Sequence, residues 1–479
     1  MNYGMIRYTL GWLLMFEAAF LAVPLITAAA FWEVEFFAFL GVMAICLAIG
    51  VLLTYKKPKN PTLYAREGFV IVSLSWIVLS LFGSLPFLLT NSTTSFIDAL
   101  FESVSGFTTT GSSIFADVES LAKSVLMWRS FTHWVGGMGV LVFIMAFLPL
   151  SGGQNMHIMR AESPGPSVSK LVPRVKNTAI ILYVIYFAIT FIMFITLLFA
   201  DMPVFDALNT AFATAGTGGF GFRNDSFASA TATQQIIVTV FMLLFSINFN
   251  SYYLVLKLKL KDALNSEVRV FLVIVATAVA IITANIASSY DSIGDAIRDA
   301  AFTVASLIST TGFATANFDL WPELSKTVLL LIMFIGACAG STGGGMKVSR
   351  IIILFKGFAR ELRTLLHPRQ VKKITIDSRP VEGEVVRSVN AYIACYIVLF
   401  VSSLILISFD KFDLVTNFSA VTAAINNIGP GLNAVGPTSN YAAFSPFTKI
   451  VLIFDMLAGR LELFPMLILF SPMTWKRRS

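Results

Sequence analysis

The chain has 479 residues, of which 56% are apolar and only 13% charged, with a net charge of +7. A soluble domain carries about 25% charged residues, so a water-soluble fold of this length is excluded and lipid must solvate part of the surface. The positive balance does not point to nucleic acid, because the Lys and Arg lie in short clusters between apolar runs, the pattern of cytoplasmic membrane loops.

Apolar runs of about 20 residues, the length that crosses about 30 Å of hydrocarbon, follow one another along the chain. They cover 6–31, 35–54, 69–90, 125–150, 176–200, 234–258, 268–288, 325–357, 388–409 and 447–472. The first is too long for a signal-peptide core and has no clear cleavage site, so it reads as a retained helix. With the N-terminus in the cytoplasm, 26 of the 34 Lys and Arg fall on the inside, ten of them between Lys347 and Arg387. The opposite orientation leaves only a handful there. The sequence therefore predicts an all-α polytopic membrane protein with ten crossings and both termini cytoplasmic. Cys46, Cys338 and Cys395 lie far apart in apolar or Gly-rich stretches and read as packing residues, with no disulfide or metal spacing.

Four of the outside segments contain a semi-apolar stretch too short to span. They align without gaps: DALFESVSGFTTTGSS from Asp98, DALNTAFATAGTGGFG from Asp206, DAAFTVASLISTTGFA from Asp299, and TNFSAVTAAINNIGPG from Thr416. In each, a glycine falls thirteen residues after the first position: Gly111, Gly219, Gly312 and Gly429. The unit is helix, short re-entrant helix, glycine-containing strand, helix, repeated four times. This divides the chain into an N-terminal two-helix hairpin (1–60) and repeats at 61–160, 161–262, 263–375 and 376–479.

Backbone that dips into a membrane and returns is tolerated only around protein or a water-filled cavity. Four such segments around one axis can replace the hydration shell of a cation with rings of carbonyls. Glycine permits the dihedrals that turn those carbonyls inward, and each short helix aims its partly negative C-terminal end at the axis. The predicted ion-binding residues are Thr109, Thr110, Gly111 and Ser112; Thr217, Gly218, Gly219 and Phe220; Thr310, Thr311, Gly312 and Phe313; and Asn427, Ile428, Gly429 and Pro430. The threonine hydroxyls at 109, 110, 217, 310 and 311 would add oxygens.

Two further features stand out. The run Gly336–Gly345 holds five glycines with Ser341 and Thr342 inside an apolar helix, where each glycine costs up to about 1 kcal/mol, so the helix should unwind into a loop. Arg460 is the one basic residue deep in a spanning run and must face water or a carboxylate; Asp455 and Glu462 are the nearby candidates. GTGGFG at Gly216–Gly221 matches the dinucleotide fingerprint but lacks its strand–helix context. His133, His157 and His367 show no ligand spacing, and His133 reads as a helix-packing residue. No catalytic constellation is present, so no enzyme activity is expected.

At these residues the chain resembles the Trk/Ktr/HKT superfamily of potassium-transporting proteins, and the extra N-terminal hairpin resembles its bacterial Trk branch. RSFTHWVGGMG (Arg129–Gly139) resembles the start of the first inner helix, GACAGSTGGGMK (Gly336–Lys347) the interruption in the third, and GRLE (Gly459–Glu462) the fourth. The resemblance implies channel-like potassium conduction with no organic cofactor. It also implies a gate formed by Gly336, Gly340, Ser341, Thr342, Gly343, Gly344, Gly345 and Lys347, and a pore barrier at Arg460. It further implies a homodimer in the bacterial inner membrane regulated by a cytoplasmic nucleotide-binding ring of the Trk A type. The segment Lys356–Arg387 is the expected docking surface for that partner, with anionic membrane lipid as the alternative. All four signature glycines are present, as in potassium-preferring members. The fourth segment, with Asn426, Asn427 and Ile428, departs most and allows some passage of rubidium or sodium. The rival reading is a potassium transporter coupled to sodium or protons, for which Glu102 is the best-placed carboxylate.

Overall fold

The computed structural model describes residues 1–58, 63–137, 139, 175–367, 373–377 and 379–475. The second half of the predicted 125–150 span and the basic residues from Arg160 to Arg174 lie outside them. Helices dominate: α1 (Tyr3–Phe20), α2 (Ala22–Ala30), α3 (Phe36–Thr54), α4 (Ala65–Gly83), α5 (Phe96–Phe107), α6 (Lys123–Gly137), α7 (Val175–Phe199), α8 (Val204–Gly216) and α9 (Ala232–Ser246). They continue as α10 (Phe249–Leu256), α11 (Ser266–Ile286), α12 (Ile293–Ile308), α13 (Glu323–Ile335), α14 (Val348–Leu366), α15 (Gly383–Ile407), α16 (Leu414–Asn426), α17 (Pro446–Arg460) and α18 (Phe464–Phe470). Among the described residues the only sheet is a two-stranded antiparallel ribbon, β1 (Thr375–Ile376) with β2 (Arg379–Pro380).

Among the described residues six helices are long and apolar enough to cross a membrane, and a seventh span arises if α9 and α10 count as one. That pair bends by 93°, where the sequence predicts one straight run over 234–258. The reason is tertiary. The Asn248 side chain caps α10 by accepting from Asn250 N–H at 2.9 Å, and Ser246 O and Phe249 N–H are taken by Cys338 N–H and Gly340 O, each at 3.0 Å. Backbone freed by the bend is thus satisfied by another segment, which lets a break persist in an apolar setting. The predicted spans 325–357 and 447–472 are also interrupted, at 336–347 and at Leu461–Leu463.

The hairpin α1–α3 packs through small residues: a Cβ at Gly11 would stand 3.0 Å from Gly50 O, and one at Gly50 2.9 Å from Gly11 O. Such close backbone approach is how helices associate where lipid removes the hydrophobic drive.

The four short helices α5, α8, α12 and α16 have 12, 13, 16 and 13 residues, about 18–24 Å at 1.5 Å per residue, too short to span. Ser95 caps α5, Ser292 caps α12 and Asp413 caps α16 through side-chain bonds to first-turn N–H groups. A left-handed residue follows each helix within two positions: Thr109, Thr217, Thr310 and Asn427, with φ between 55° and 61°. Each short helix packs against the helix that follows it and against the corresponding helix of the preceding segment. Thus α5 touches α6 and α17, α8 touches α9 and α6, α12 touches α13 and α9, and α16 touches α17 and α13. Eight helices therefore close on themselves around one axis.

Candidate ion pathway

The extended segments that follow the short helices belong to no sheet; the predicted strands are single extended runs whose carbonyls are not spent on a ladder. Their glycines have φ of 80° (Gly111), 79° (Gly219), 86° (Gly312) and 98° (Gly429), a region costly to any other residue. They are also crowded by one another in a fixed order. A Cβ at Gly111 would stand 1.9 Å from Gly218 O, at Gly219 1.9 Å from Thr311 O, at Gly312 2.2 Å from Ile428 O, and at Gly429 2.7 Å from Thr110 O. Each glycine meets the carbonyl preceding the next glycine, and the fourth returns to the first. All four line one cavity of about 130 Å³, which opens between loops carrying Arg223, Asn224 and Asn440.

The threonine hydroxyls are mostly committed to protein. Thr110 Oγ1 bonds Thr108 Oγ1 and accepts from Asn427 Nδ2 at 3.0 Å, and Thr311 Oγ1 bonds Ser309 Oγ. Thr217 donates to Gly216 O, and Thr310 Oγ1 accepts from Gly344 N–H at 2.6 Å. Thr109 Oγ1 is the buried hydroxyl of these five that has no partner among the described residues.

Behind the ring, polar side chains tie neighbouring segments together. Glu102 on α5 pairs with Arg129 on α6 at 2.7 Å, both buried, and accepts from Ile114 N–H at 2.9 Å. Arg129 also donates to Gly221 O at 3.0 Å and lies over the Phe220 ring at 4.2 Å, so one side chain holds the first segment to the second. His133, read from sequence as packing, makes two directed bonds. Phe220 N–H donates to Nε2 at 3.1 Å, which leaves Nδ1–H to donate to Gly106 O at 2.7 Å. The second and third segments meet through Phe227 N–H and Ala314 O at 2.9 Å, and the fourth meets the first through Tyr441 N–H and Ser113 O at 2.9 Å. The Tyr441 hydroxyl donates to Gly429 O at 2.8 Å, and Lys449 pairs with Asp98 at 2.6 Å. At the cavity rim, the Asn224 side chain bonds Asp117 and holds that carboxyl below its usual range.

On the other side of the ring lies the loop 336–347. Helix α13 ends at Ile335 and α14 begins at Val348, and Gly336, Gly340, Gly345 and Lys347 all have φ of 72–77°. The loop presses on the ends of the short helices: Gly344 N–H reaches Thr310 Oγ1, and Gly345 N–H reaches Asn426 O at 3.1 Å. Ser341 donates to Cys338 O and Thr342 to Phe245 O, while the buried Lys347 amine donates to Gly343 O. Glu267, in the first turn of α11, accepts from Ala339 N–H at 2.8 Å and from Ser349 N–H at 3.0 Å. Arg460 donates to Thr342 O at 2.8 Å and to Gly136 O and Gly137 O at 2.5 and 2.7 Å. The two carboxylates nearest in sequence are engaged elsewhere, Glu462 with Arg350 and Asp455 with Ser403.

The structure thus brings the four glycine-containing segments together, sets the loop against the ends of two of the short helices, and bonds Arg460 to the loop at Thr342. Sequence reasoning did not single out Arg129, Glu267, Tyr441 or Lys449. Their partners are 92, 72, 12 and 351 residues away, and no local spacing marks them.

Four segments closing on a single axis within a bundle of apolar helices define a multi-pass membrane protein of the transport class. The comparisons narrow this. Residues 35–477 match the TrkH family, described as cation transport protein. The chain is 36% identical to the Trk system potassium uptake protein TrkH of Salmonella typhimurium over 99% of this chain and all of that one. It is 32% identical to the Trk system potassium uptake protein TrkG of Escherichia coli over 98% of each. The crystal structure of the potassium transporter TrkH from Vibrio parahaemolyticus superposes with a TM-score of 0.89 at 33% identity, covering 99% of this chain and all of that one. The chain therefore belongs to the TrkH family of cation transport proteins, a transport family rather than an enzyme family.

Proposed function

We propose that the chain carries potassium across the bacterial inner membrane by passive, channel-like conduction along the axis ringed by Gly111, Gly219, Gly312 and Gly429. The observation that carries this reading is the closed cycle of glycine-to-carbonyl approaches, 1 to 2 to 3 to 4 to 1, because a desolvated cation needs oxygens on every side. The residues Thr109–Ser112, Thr217–Phe220, Thr310–Phe313 and Asn427–Pro430 form the selectivity filter. The four short helices are its re-entrant pore helices within ten crossings, in the repeats drawn from the sequence. Loop 336–347 is the gate: its left-handed residues and its contacts with the pore-helix ends are what a segment needs to block the axis and withdraw. Arg460, a guanidinium on that axis, sets the barrier. Relatives of similar length are named potassium uptake proteins of the Trk system, which supports potassium as the ion. Within this reading the chain acts as a homodimer with a nucleotide-binding ring of the Trk A type on the cytoplasmic side. Both termini lie on that side, and potassium is substrate, with no organic cofactor.

The test is a reversal-potential measurement on the full chain in planar bilayers. Under a potassium gradient the current should reverse near the potassium equilibrium potential and stay there when pH changes at fixed potassium. A shift with pH would replace this reading with proton-coupled transport.

A further inference from the structure

Beyond the axis, a cavity of about 340 Å³ lies between the second half of α14 and β1. Lys356, Arg360, Arg363 and Lys373 line it, with Ala359 and Ile374 among the apolar wall residues. Among the described residues no carboxylate lines it. The single acid between Lys356 and Lys373 is Glu361, which pairs with Arg360 at 2.5 Å. Lys356 donates to Thr375 O at 2.7 Å and so holds the wall against the ribbon. Four cations converging on one concavity repel each other unless an anion enters.

Residues 356, 360 and 363 form one stripe of α14 at helical spacing. Phe355, Phe358, Leu362 and Leu366 form the stripe beside it, and all four are exposed, by 67%, 63%, 46% and 74%. An inorganic anion would use the cations and leave this apolar stripe in contact with nothing. An amphiphile uses both. Counted along the helix, Lys356 lies about 12 Å and Arg363 about 22 Å beyond Val348, the depth of the phosphate layer for a helix that leaves the middle of a bilayer. The geometry points to a binding site for the phosphate of an anionic phospholipid, held by Lys356, Arg360, Arg363 and Lys373 with its acyl chains along the Phe355–Leu366 stripe. A soluble protein partner would be served by the cations but not by an apolar stripe facing lipid.

The test is native mass spectrometry of the full chain in non-ionic detergent, titrated with phosphatidylglycerol, phosphatidylcholine or inorganic phosphate. Phosphatidylglycerol should be retained at about tenfold lower concentration than phosphatidylcholine, and millimolar phosphate should not displace it. Each cation near a membrane surface contributes about fivefold to anionic-lipid binding, so K356Q/R360Q/R363Q should weaken retention roughly a hundredfold. K257Q/K259Q/K261Q, on another basic loop, should leave it unchanged. Equal retention of the two lipids, displacement by phosphate alone, or unchanged retention in the first variant would overturn the proposal. So would a variant that loses a soluble regulatory ring while keeping its lipid. If the triple variant fails to fold, the comparison of the two lipids and phosphate on the unmodified chain decides.

Discussion

Removing the charge of Glu267 should loosen loop 336–347 without touching the ring of glycines. One carboxylate oxygen accepts N–H groups from within the loop, Ala339 at 2.8 Å, and from the first turn of α14, Ser349 at 3.0 Å, and the side chain is buried. Its place in the first turn of α11 adds the favourable end of a helix dipole. A hydrogen bond to a charged group contributes about 1.5–3 kcal/mol against about 0.5–1.5 kcal/mol for a neutral one. Glu267→Gln keeps an acceptor but loses the charge, so two bonds weaken by about 1 kcal/mol each, roughly 2 kcal/mol in all and about 30-fold in an open–closed equilibrium. Glu267→Ala loses both bonds and leaves two buried donors unpaired, and its shift should be larger. The assay is single-channel open probability in bilayers with no regulatory protein present, on the unmodified chain, Glu267→Asp, Glu267→Gln and Glu267→Ala. Open probability should rise in that order with unitary current and reversal potential unchanged. A Gln and an Ala variant that fold normally, by size-exclusion profile and melting temperature, yet gate like the parent would refute the latch.

The other predictions concern the ring and its supports. Gly219→Ala and Gly111→Ala, where a Cβ would stand 1.9 Å from a carbonyl oxygen, should abolish potassium-dependent growth of an uptake-deficient strain, and Gly429→Ala, at 2.7 Å, should do so less completely. Arg129→Lys keeps the charge but cannot reach Glu102, Ser113 and Gly221 together. It should lower the melting temperature and the potassium-to-sodium permeability ratio, whereas Arg129→Ala, which strands a buried carboxylate at about 3–5 kcal/mol, should fail to accumulate. Tyr441→Phe removes one bond to Gly429 O, about 0.5–1.5 kcal/mol, and should shift the reversal potential under mixed potassium and sodium with expression intact. Arg460→Ala should raise unitary cation conductance; loss of folded protein with unchanged current would mean instead that its bonds to Thr342, Gly136 and Gly137 are structural.

Much of this architecture is written in short-range pattern. Apolar runs long enough to span, Lys and Arg clustered between them, and a glycine at a constant offset in four aligned stretches are all readable along the chain, because length, hydropathy and φ preference act on a residue and its immediate neighbours. The same holds for the unwinding at Gly336–Gly345 and for Arg460 as an oddity inside an apolar helix. Pairing is different. Glu462 follows Arg460 by two residues yet binds Arg350, and Arg460 binds three carbonyls from two other segments. The bend between α9 and α10 has no proline to announce it, and it exists because the loop 336–347 accepts and donates where the helix breaks. His133 and Glu267 look like ordinary helix residues until the fold brings Phe220 to one and Ala339 to the other. Local composition determined which segments enter the membrane and where the backbone turns. Only the closed packing of the four segments decided which buried donors and acceptors meet, because a polar group in an apolar interior must find its partner wherever the fold supplies one.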